Sequence, residues 1–361
     1  MRERRPRRTT GSADLDRRLS ELLEAIPAAE PRQRDLLLEI LVTAVQLAGD
    51  GADPLDLKIT SAALREMRNA FRAFAPYRGR DKVTIFGSAR TTPDDPLYAQ
   101  ARAVVAELAE RGWMVVTGAG PGIMAAGMEG AGREQSFGVS IRLPFEQGAN
   151  SVIASDEKLV SMKYFFTRKL MLIKESRGFV CLPGGFGTLD ETFELLTLTQ
   201  TGKGVPVPIV FLDVPGGTYW RHIEGFIHDE LVSRGLVSQA DLNLFLVTDD
   251  VAEANREITD FYANYESIRF VGDDLVVRLR RAPDDEELER LNERFGHLCA
   301  TGRIERTAPL AVEVEEADAL EFERIKFRFA KHGYGELRAF IDALNDLVIS
   351  ETSHPVHPSA P

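Results

Sequence analysis

From about residue 80 to residue 265, short apolar segments alternate with longer segments of helical periodicity, and this alternation restricts the fold more than any other feature of the chain. The short segments are rich in β-branched and aromatic residues, which is typical of buried strands, whereas the segments between them predict helices. Buried strands that alternate with helices form βαβ units. The sequence therefore predicts an α/β domain, a Rossmann-like doubly wound parallel sheet, with strands at Val83–Phe86, Met114–Val116, Gly138–Ile141, Phe179–Leu182, Val207–Leu212 and Leu244–Val247.

The regions on either side of this domain follow other patterns. Leucine and isoleucine recur at helical spacing after residue 14 and predict a helical N-terminal extension. After residue 265 the sequence predicts a small α+β extension, in which Ala311–Val314 is one of the expected strands. The two ends of the chain are polar and are predicted to be disordered. The expected organisation is a basic tail (1–13), the helical extension (14–78), the Rossmann-like domain (79–265), the α+β extension (266–350) and a second disordered tail (351–361).

Charge and cysteine usage argue against several classes of protein. The formal net charge is −12, which disfavours a general nucleic-acid-binding protein because such proteins carry a basic domain. No apolar segment has the length of a transmembrane helix, and no apolar signal-peptide core follows the N-terminal arginines. The two cysteines, Cys181 and Cys299, do not lie at a spacing typical of a metal site. We therefore expect a cytoplasmic protein without a metal, a membrane partner or a nucleic-acid partner.

Two of the loops that follow predicted strands are rich in small residues. Ligands of an open parallel sheet bind beyond the carboxyl ends of the strands, so these loops are candidate binding segments. Gly87 and Ser88 follow the first strand, where a tight turn would equally require a glycine. Gly118, Gly120 and Gly122 follow the second strand in a GxGxG pattern. Because this is not the GxGxxG fingerprint and no ribose-binding acid follows, the loop disfavours NAD and favours another nucleotide or a sugar.

The loop after the strand Phe179–Leu182 is the strongest candidate. It has the sequence Pro-Gly-Gly-Phe-Gly-Thr and leads directly into a predicted helix. The first turn of a helix presents unpaired N–H groups and a partial positive charge, and glycines let these groups surround an anion. The pattern favours a phosphate monoester rather than a triphosphate, since the Walker A pattern is absent. The predicted phosphate ligands are Gly184, Gly185, Gly187 and Thr188.

Charged residues near this loop are the candidates for chemistry. Asp190 and Glu191 open the same helix, where an acid also interacts favourably with the helix dipole. An acid beside a bound phosphate is electrostatically reasonable if it points towards the sugar, and Glu191 is the candidate for that role. Arg168 and Lys169 lie upstream on a predicted helix and could contact phosphate oxygens, although a surface ion pair would also explain Arg168.

These segments resemble the motifs of one family. Pro183–Glu191 matches the PGGxGTxxE motif of the Lonely Guy (LOG) family, Arg168-Lys169 matches the Arg-Lys pair of its second motif, and Gly118–Met124 is similar to its glycine loop. LOG proteins, long named lysine decarboxylases, cleave nucleoside 5′-monophosphates to free base and ribose 5-phosphate. The resemblance, which covers roughly residues 80–262, implies this reaction on AMP or a cytokinin riboside monophosphate. It also implies that Arg168 and Glu191 are the catalytic residues.

Two other functions remain open at this point. A non-catalytic nucleotide carrier or sensor would use the same phosphate loop but would not require Arg168 or Glu191. A scaffold protein would bind its partner through the arginine-rich tail and the C-terminal extension. The resemblance further implies a homo-oligomer, a dimer or larger, with active sites near the subunit interface. No lysine of the motif is placed to hold pyridoxal phosphate, so we expect no cofactor.

Overall fold

The computed structural model of the protein describes residues 9–26, 31–142 and 148–353. The chain divides into two compact units, Met1–Arg68 and Asn69–Pro361. Most of the two tails predicted to be disordered lies outside the described residues. None of the helices in the described ranges combines the length with the apolar composition that crossing a membrane requires.

The first unit is helical, as its leucine spacing predicts. Its helices are α1 (Ala13–Glu24), α2 (Pro31–Gly49) and the first part of α3 (Pro54–Phe74). The hydroxyl of Ser12 accepts a hydrogen bond from the N–H of Leu15 and caps α1. This cap makes Ala13 the first helical residue, although the sequence predicted disorder up to that position. A small apolar cluster of Leu23, Leu38 and Val42 joins α1 to α2.

The second unit contains a parallel sheet of seven strands, which confirms the predicted α/β class. Its strands are β1 (Lys82–Phe86), β2 (Met114–Thr117), β3 (Ser136–Ile141), β4 (Leu159–Met162), β5 (Gly178–Cys181), β6 (Ile209–Leu212) and β7 (Leu246–Thr248). They lie in the order β4-β3-β2-β1-β5-β6-β7. Strand β4, which has four residues and lies at the edge of the sheet, was not predicted from the sequence.

Helices cover both faces of this sheet. They are α4 (Pro96–Glu110), α5 (Ile123–Ala131), α6 (Phe165–Lys174), α7 (Phe186–Gln200), α8 (Tyr219–Phe226) and α9 (Val251–Asp260). Side chains of a strand alternate between the two faces. Val83 and Ile85 of β1 belong to the apolar core that α4, α5 and α9 cover. The hydroxyl of Thr84, between them, donates to the carbonyl of Leu172 on α6, which therefore lies on the opposite face.

The direction in which successive strands are added to the sheet reverses between β1 and β5. From β1 the chain proceeds outward to β2, β3 and β4, and it then returns to the centre as β5 and proceeds the other way. Phe86 is the register partner of Cys181, so the two strands end side by side. The N–H of Ser88 donates to the carbonyl of Pro183 at 3.2 Å and extends this pairing into the loops. In open α/β sheets, ligands bind at such a reversal point.

A second sheet follows, with four antiparallel strands in the order β10-β11-β9-β8. Its strands are β8 (Tyr265–Val271), β9 (Asp274–Leu279), β10 (Cys299–Arg306) and β11 (Glu323–Phe329). Its helices are α10 (Asp285–Phe295), α11 (Ala311–Glu315) and α12 (Tyr334–Ser353). The predicted α+β character is confirmed. Helix α12 also includes residues 351–353, which the sequence predicted to be disordered.

The predicted strand Ala311–Val314 is wrong, because this segment forms the short helix α11. Glu313 of this segment is fully buried. Its carboxylate accepts hydrogen bonds from the N–H of Leu310 at 3.0 Å and from the guanidinium of Arg278 at 2.7 Å. Arg324 donates to the same carboxylate at 3.3 Å. The cap and the ion pairs together stabilise a helical turn.

Asn345 of α12 provides a test of how the second sheet is attached to the first. Its side-chain oxygen accepts from the N–H groups of Asn264 (3.0 Å) and Tyr265 (2.8 Å), and its amide donates to the carbonyl of Phe261 (2.7 Å). We expect Asn345→Ala to lower the free energy of unfolding by about 3–5 kcal/mol, because three buried backbone groups lose their partners. Urea denaturation measures the change.

The matched control is Glu293→Ala, on the exposed side of α10 in the same part of the chain. That variant is expected to stay within about 0.5 kcal/mol of the wild type. Equal stabilities of the two variants would contradict the role assigned to Asn345.

Candidate functional site

A cavity of about 790 Å³ lies at the carboxyl ends of the central strands. Its volume is within the range of small-molecule sites, which is roughly 300–1,000 Å³. The structure brings ten of the twelve sequence-predicted site residues to its wall: Gly87, Ser88, Gly118, Gly120, Arg168, Gly184, Gly185, Gly187, Thr188 and Glu191. The other two, Gly122 and Lys169, are not among the residues that line it.

The loop between β5 and α7 forms one side of the cavity. Helix α7 begins at Phe186 after Gly185, and no side chain caps it. The first intrahelical hydrogen bond is donated by Leu189 to the carbonyl of Gly185. The N–H groups of the first turn are therefore available to an external acceptor. A Cβ atom at Gly185 or Gly187 would meet no other heavy atom within 4 Å, so the backbone at both positions faces open space.

Gly184 has a different role within the same loop. A Cβ atom at this position would lie 2.2 Å from the hydroxyl oxygen of Thr188. Thr188 itself is buried, with 6% of its surface exposed. Gly184 therefore leaves space for the side chain of Thr188, which lies in the first turn of α7.

The glycine loop after β2 forms the opposite side. Ala119 has φ = 61°, and its N–H donates to the hydroxyl of Thr117 at 2.9 Å. The amide of Asn150 donates to the carbonyl of Gly120 at 3.1 Å and holds the loop from outside the cavity. Gly122 has φ = 67°, and a Cβ atom there would lie 2.3 Å from the carbonyl oxygen of Ser88. Gly122 thus lets the glycine loop pack against the loop after β1 without facing the cavity itself.

Arg168 and Glu191 form an ion pair between α6 and α7. Arg168 Nη1 lies 3.4 Å from Glu191 Oε1, and the two side chains are only 12% and 15% exposed. The Nε of Arg168 donates to the carbonyl of Val139 on β3 at 3.1 Å. A Cβ atom at Gly118 would lie 2.2 Å from Arg168 Nη2, so this glycine provides the space in which the guanidinium lies.

The electrostatic surroundings of Glu191 are mixed. Burial raises the pKa of its carboxyl above the usual value, and the nearby charges of Arg168 and Lys169 oppose this increase. The ammonium of Lys169 is itself paired with Asp190 at 2.9 Å and with Glu194 at 2.6 Å. Lys169 therefore balances the other two acids of α7 at a position outside the cavity wall.

Tyr219 and Arg90 also line the cavity, although the sequence analysis assigned neither a role. The hydroxyl of Tyr219 donates to the carbonyl of Gly184 at 2.8 Å and anchors the loop before α7. The N–H of Tyr219 donates to the carboxylate of Asp213, which follows β6. Tyr219 follows β6, the neighbour of β5 in the sheet, and this position in the sequence could have indicated that it lies near the site. Arg90 lies two residues after Ser88 in the loop after β1, where only the small residues were considered as ligand contacts.

Part of the chain is similar in sequence to known proteins. Residues 121–258 match the family model described as possible lysine decarboxylase. The cytokinin riboside 5′-monophosphate phosphoribohydrolase of Mycobacterium marinum is 29% identical over 180 residues, which are 49% of this chain and 92% of that protein. The pyrimidine/purine nucleotide 5′-monophosphate nucleosidase of Escherichia coli is 27% identical over 212 residues, which are 55% of this chain and 44% of that protein.

Among solved structures, the molybdenum cofactor carrier protein of Chlamydomonas reinhardtii is 20% identical, with a TM-score of 0.35. The match covers 49% of this chain and 94% of that structure. The residues matched by the family model include the Pro183–Glu191 motif. Through this α/β domain, the chain is similar to the nucleotide phosphoribohydrolases of the LOG family.

Proposed function

We propose that this protein hydrolyses the N-glycosidic bond of nucleoside 5′-monophosphates, AMP or a cytokinin riboside monophosphate, to free base and ribose 5-phosphate. The observation that carries the proposal is the placement of the Arg168–Glu191 pair in the same cavity as the uncapped first turn of α7. The names of the Mycobacterium marinum and Escherichia coli relatives describe activities of this class. A phosphate site and a buried carboxylate in one cavity are what such a reaction requires.

The first turn of α7 is proposed to bind the phosphate. Unpaired N–H groups at a helix N-terminus bind anions, and the helix dipole adds partial positive charge. Glu191 lies three residues after Thr188, which corresponds to a rise of about 4.5 Å along the helix axis. With the phosphate at the start of α7, the Glu191 carboxylate lies beyond it, where the ribose of the nucleotide would extend.

Glu191 is proposed to act at the anomeric carbon of the ribose. The bond between C1′ and the base nitrogen breaks, its electron pair leaves with the base, and positive charge develops at C1′. A carboxylate stabilises that charge and accepts the proton of the attacking water, whose oxygen forms the new bond to C1′. The departing base takes up a proton from solvent water, and Glu191 returns the proton it accepted to the solvent. Arg168 holds Glu191 in place during this step, since it bonds both the carboxylate and the backbone of β3.

The apolar part of the wall is proposed to contact the base. Met124, Ile141 and Phe165 line the cavity together with Phe186. Aromatic and thioether side chains pack well against the planar ring of a nucleobase. Phe186 is 94% exposed and Phe165 is 53% exposed, so the base site is open to solvent on this side of the single chain.

A nucleotide panel tests the proposal directly. We expect the wild-type protein to release free base and ribose 5-phosphate from AMP or a related monophosphate, measured by chromatography of the products. We expect Glu191→Gln to lower kcat by at least about 100-fold, because the carboxylate that serves C1′ and the water is lost. Glu194→Gln, on the same helix but outside the cavity wall, is the control and should change kcat by only a few fold.

Either of two results would contradict this assignment. Tight binding of a monophosphate without release of base would indicate a nucleotide carrier or sensor. Full activity of Glu191→Gln would remove the role proposed for the carboxylate. Thermal melting of both variants controls for loss of the fold.

The pH dependence of kcat gives a second test. The reaction needs Glu191 ionised, and burial raises the pKa of this carboxyl. We therefore expect kcat to fall as the pH decreases, with a midpoint above the value of about 4.3 for a free glutamate. The measurement is kcat at saturating substrate, because the phosphate of the substrate ionises near pH 6 and would affect kcat/KM. A kcat that stays constant down to pH 4 would contradict an essential Glu191 carboxylate with a raised pKa.

The protein is also proposed to form a homo-oligomer, a dimer or larger, that covers α6 and the start of α7. Large apolar side chains are exposed there: Phe165, Phe166, Leu170 and Phe186. A contiguous exposed apolar surface is typical of an interaction site. We expect Leu170→Glu, which does not alter the cavity wall, to reduce the molar mass measured by light scattering.

The control for this change is Leu236→Glu, which places the same charge at an apolar residue that is 65% exposed elsewhere. This variant should retain the molar mass of the wild type. A monomeric wild type, or equal masses for the two variants, would show that α6 is not the interface.

A further inference from the structure

Among the described residues, the cationic side chains near the proposed phosphate site already form ion pairs with carboxylates, with one exception. A phosphate monoester carries a charge of about −1.5 to −2 at pH 7. The guanidinium of Arg168 bonds Glu191 and Val139, and it fills the space left by Gly118. The ammonium of Lys169 bonds two acids of α7 and lies outside the cavity wall. Because both cations are paired with carboxylates, neither of them can fully neutralise a bound phosphate.

Arg90 is the exception. It lines the cavity and is exposed. Within the described part of the chain, its guanidinium has no carboxylate within ion-pair distance. Asp190 and Glu191 also line the cavity. The carboxylate of Asp190 is paired with Lys169, and that of Glu191 is paired with Arg168. An anion that enters the cavity would therefore meet the guanidinium of Arg90 without competition from a paired carboxylate.

Backbone hydrogen bonds position the loop that carries Arg90 beside the proposed phosphate loop. The N–H of Arg90 donates to the hydroxyl of Ser88 at 3.0 Å, which forms a tight turn. The N–H of Ser88 donates to the carbonyl of Pro183, the residue before Gly184. The carbonyl of Ser88 accepts from the N–H of Ile123 at 3.0 Å. The loop that carries Arg90 is thus fixed between the phosphate loop and the glycine loop.

We propose that Arg90 binds the phosphate of the substrate and neutralises it, and that Arg168 positions Glu191 rather than serving as the main phosphate ligand. The proposal rests on the proposed function to the extent that the ligand is a phosphate monoester. Arginine suits this role because its planar guanidinium binds two phosphate oxygens at once. The amides of α7 bind the same group from the other side, so the two elements share one dianion.

Binding of ribose 5-phosphate tests the proposal without any need for turnover. Calorimetry compares the full-length wild type with Arg90→Ala, Arg90→Lys and the control Arg256→Ala, an exposed arginine of α9 that does not line the cavity. We expect Arg90→Ala to weaken binding about 10- to 100-fold, because a charge-assisted contact is lost. Arg90→Lys should recover part of the affinity through its point charge. Arg256→Ala should bind as the wild type does.

Arg168→Lys separates the two arginines. This variant should lower kcat on the nucleotide while ribose 5-phosphate affinity stays within a few fold of the wild type. Unchanged affinity in Arg90→Ala, or a loss in Arg168→Lys equal to that in Arg90→Ala, would overturn the proposal.

The proposed hydrolysis and the proposed role of Arg90 can be refuted separately. A wild type that binds ribose 5-phosphate through Arg90 but releases no base would refute the hydrolase and retain the role of Arg90. A wild type that hydrolyses nucleotides, with Arg90→Ala unaffected in binding, would retain the hydrolase and refute the role of Arg90. A wild type that binds no phosphate monoester at all would refute both.

Discussion

The parallel pairing of β1 with β5 is the constraint on which the candidate site depends. These strands are distant in sequence, yet Phe86 and Cys181 end in register at the reversal point of the sheet. The pairing continues into the loops through the bond between Ser88 and Pro183. Because the loop after β1 also accepts a hydrogen bond from the start of α5, three separate segments surround one cavity. Any change in strand order would separate them.

Close approach of backbone segments then determines which residues can occupy the wall. Gly118 leaves space for the guanidinium of Arg168, Gly122 for the carbonyl of Ser88, and Gly184 for the hydroxyl of Thr188. At each of these three positions, a Cβ atom would clash with another residue of this chain. Gly185 and Gly187 differ, since nothing in the described part of the chain occupies the space beside them. In a Gly-rich loop, the glycines that face open space are the ones that leave a ligand access to the backbone.

The candidate site combines an uncapped helix terminus, proposed to bind an anion, with a buried carboxylate, and this combination is electrostatically unfavourable unless the charges are separated and balanced. The structure separates them by placing Glu191 one turn further along α7 than the uncapped amides. It balances them by the pairing of Arg168 with Glu191 and of Lys169 with Asp190 and Glu194. Burial still raises the pKa of the Glu191 carboxyl, against the opposing charges of Arg168 and Lys169.

The sequence alone determined those features that local patterns encode. The alternation of apolar segments with helical ones specifies βαβ units, and the Pro183–Glu191 segment carries the proposed phosphate loop and its acid within nine residues. The tertiary structure decided what depends on distant partners. Tyr219 and Arg90 reach the cavity only because strand order brings their loops to Gly184 and Pro183. The segment Ala311–Val314 is helical because a buried carboxylate pairs with arginines of two strands. Local periodicity contains no information about such contacts, since they form between residues that only the folded chain brings together.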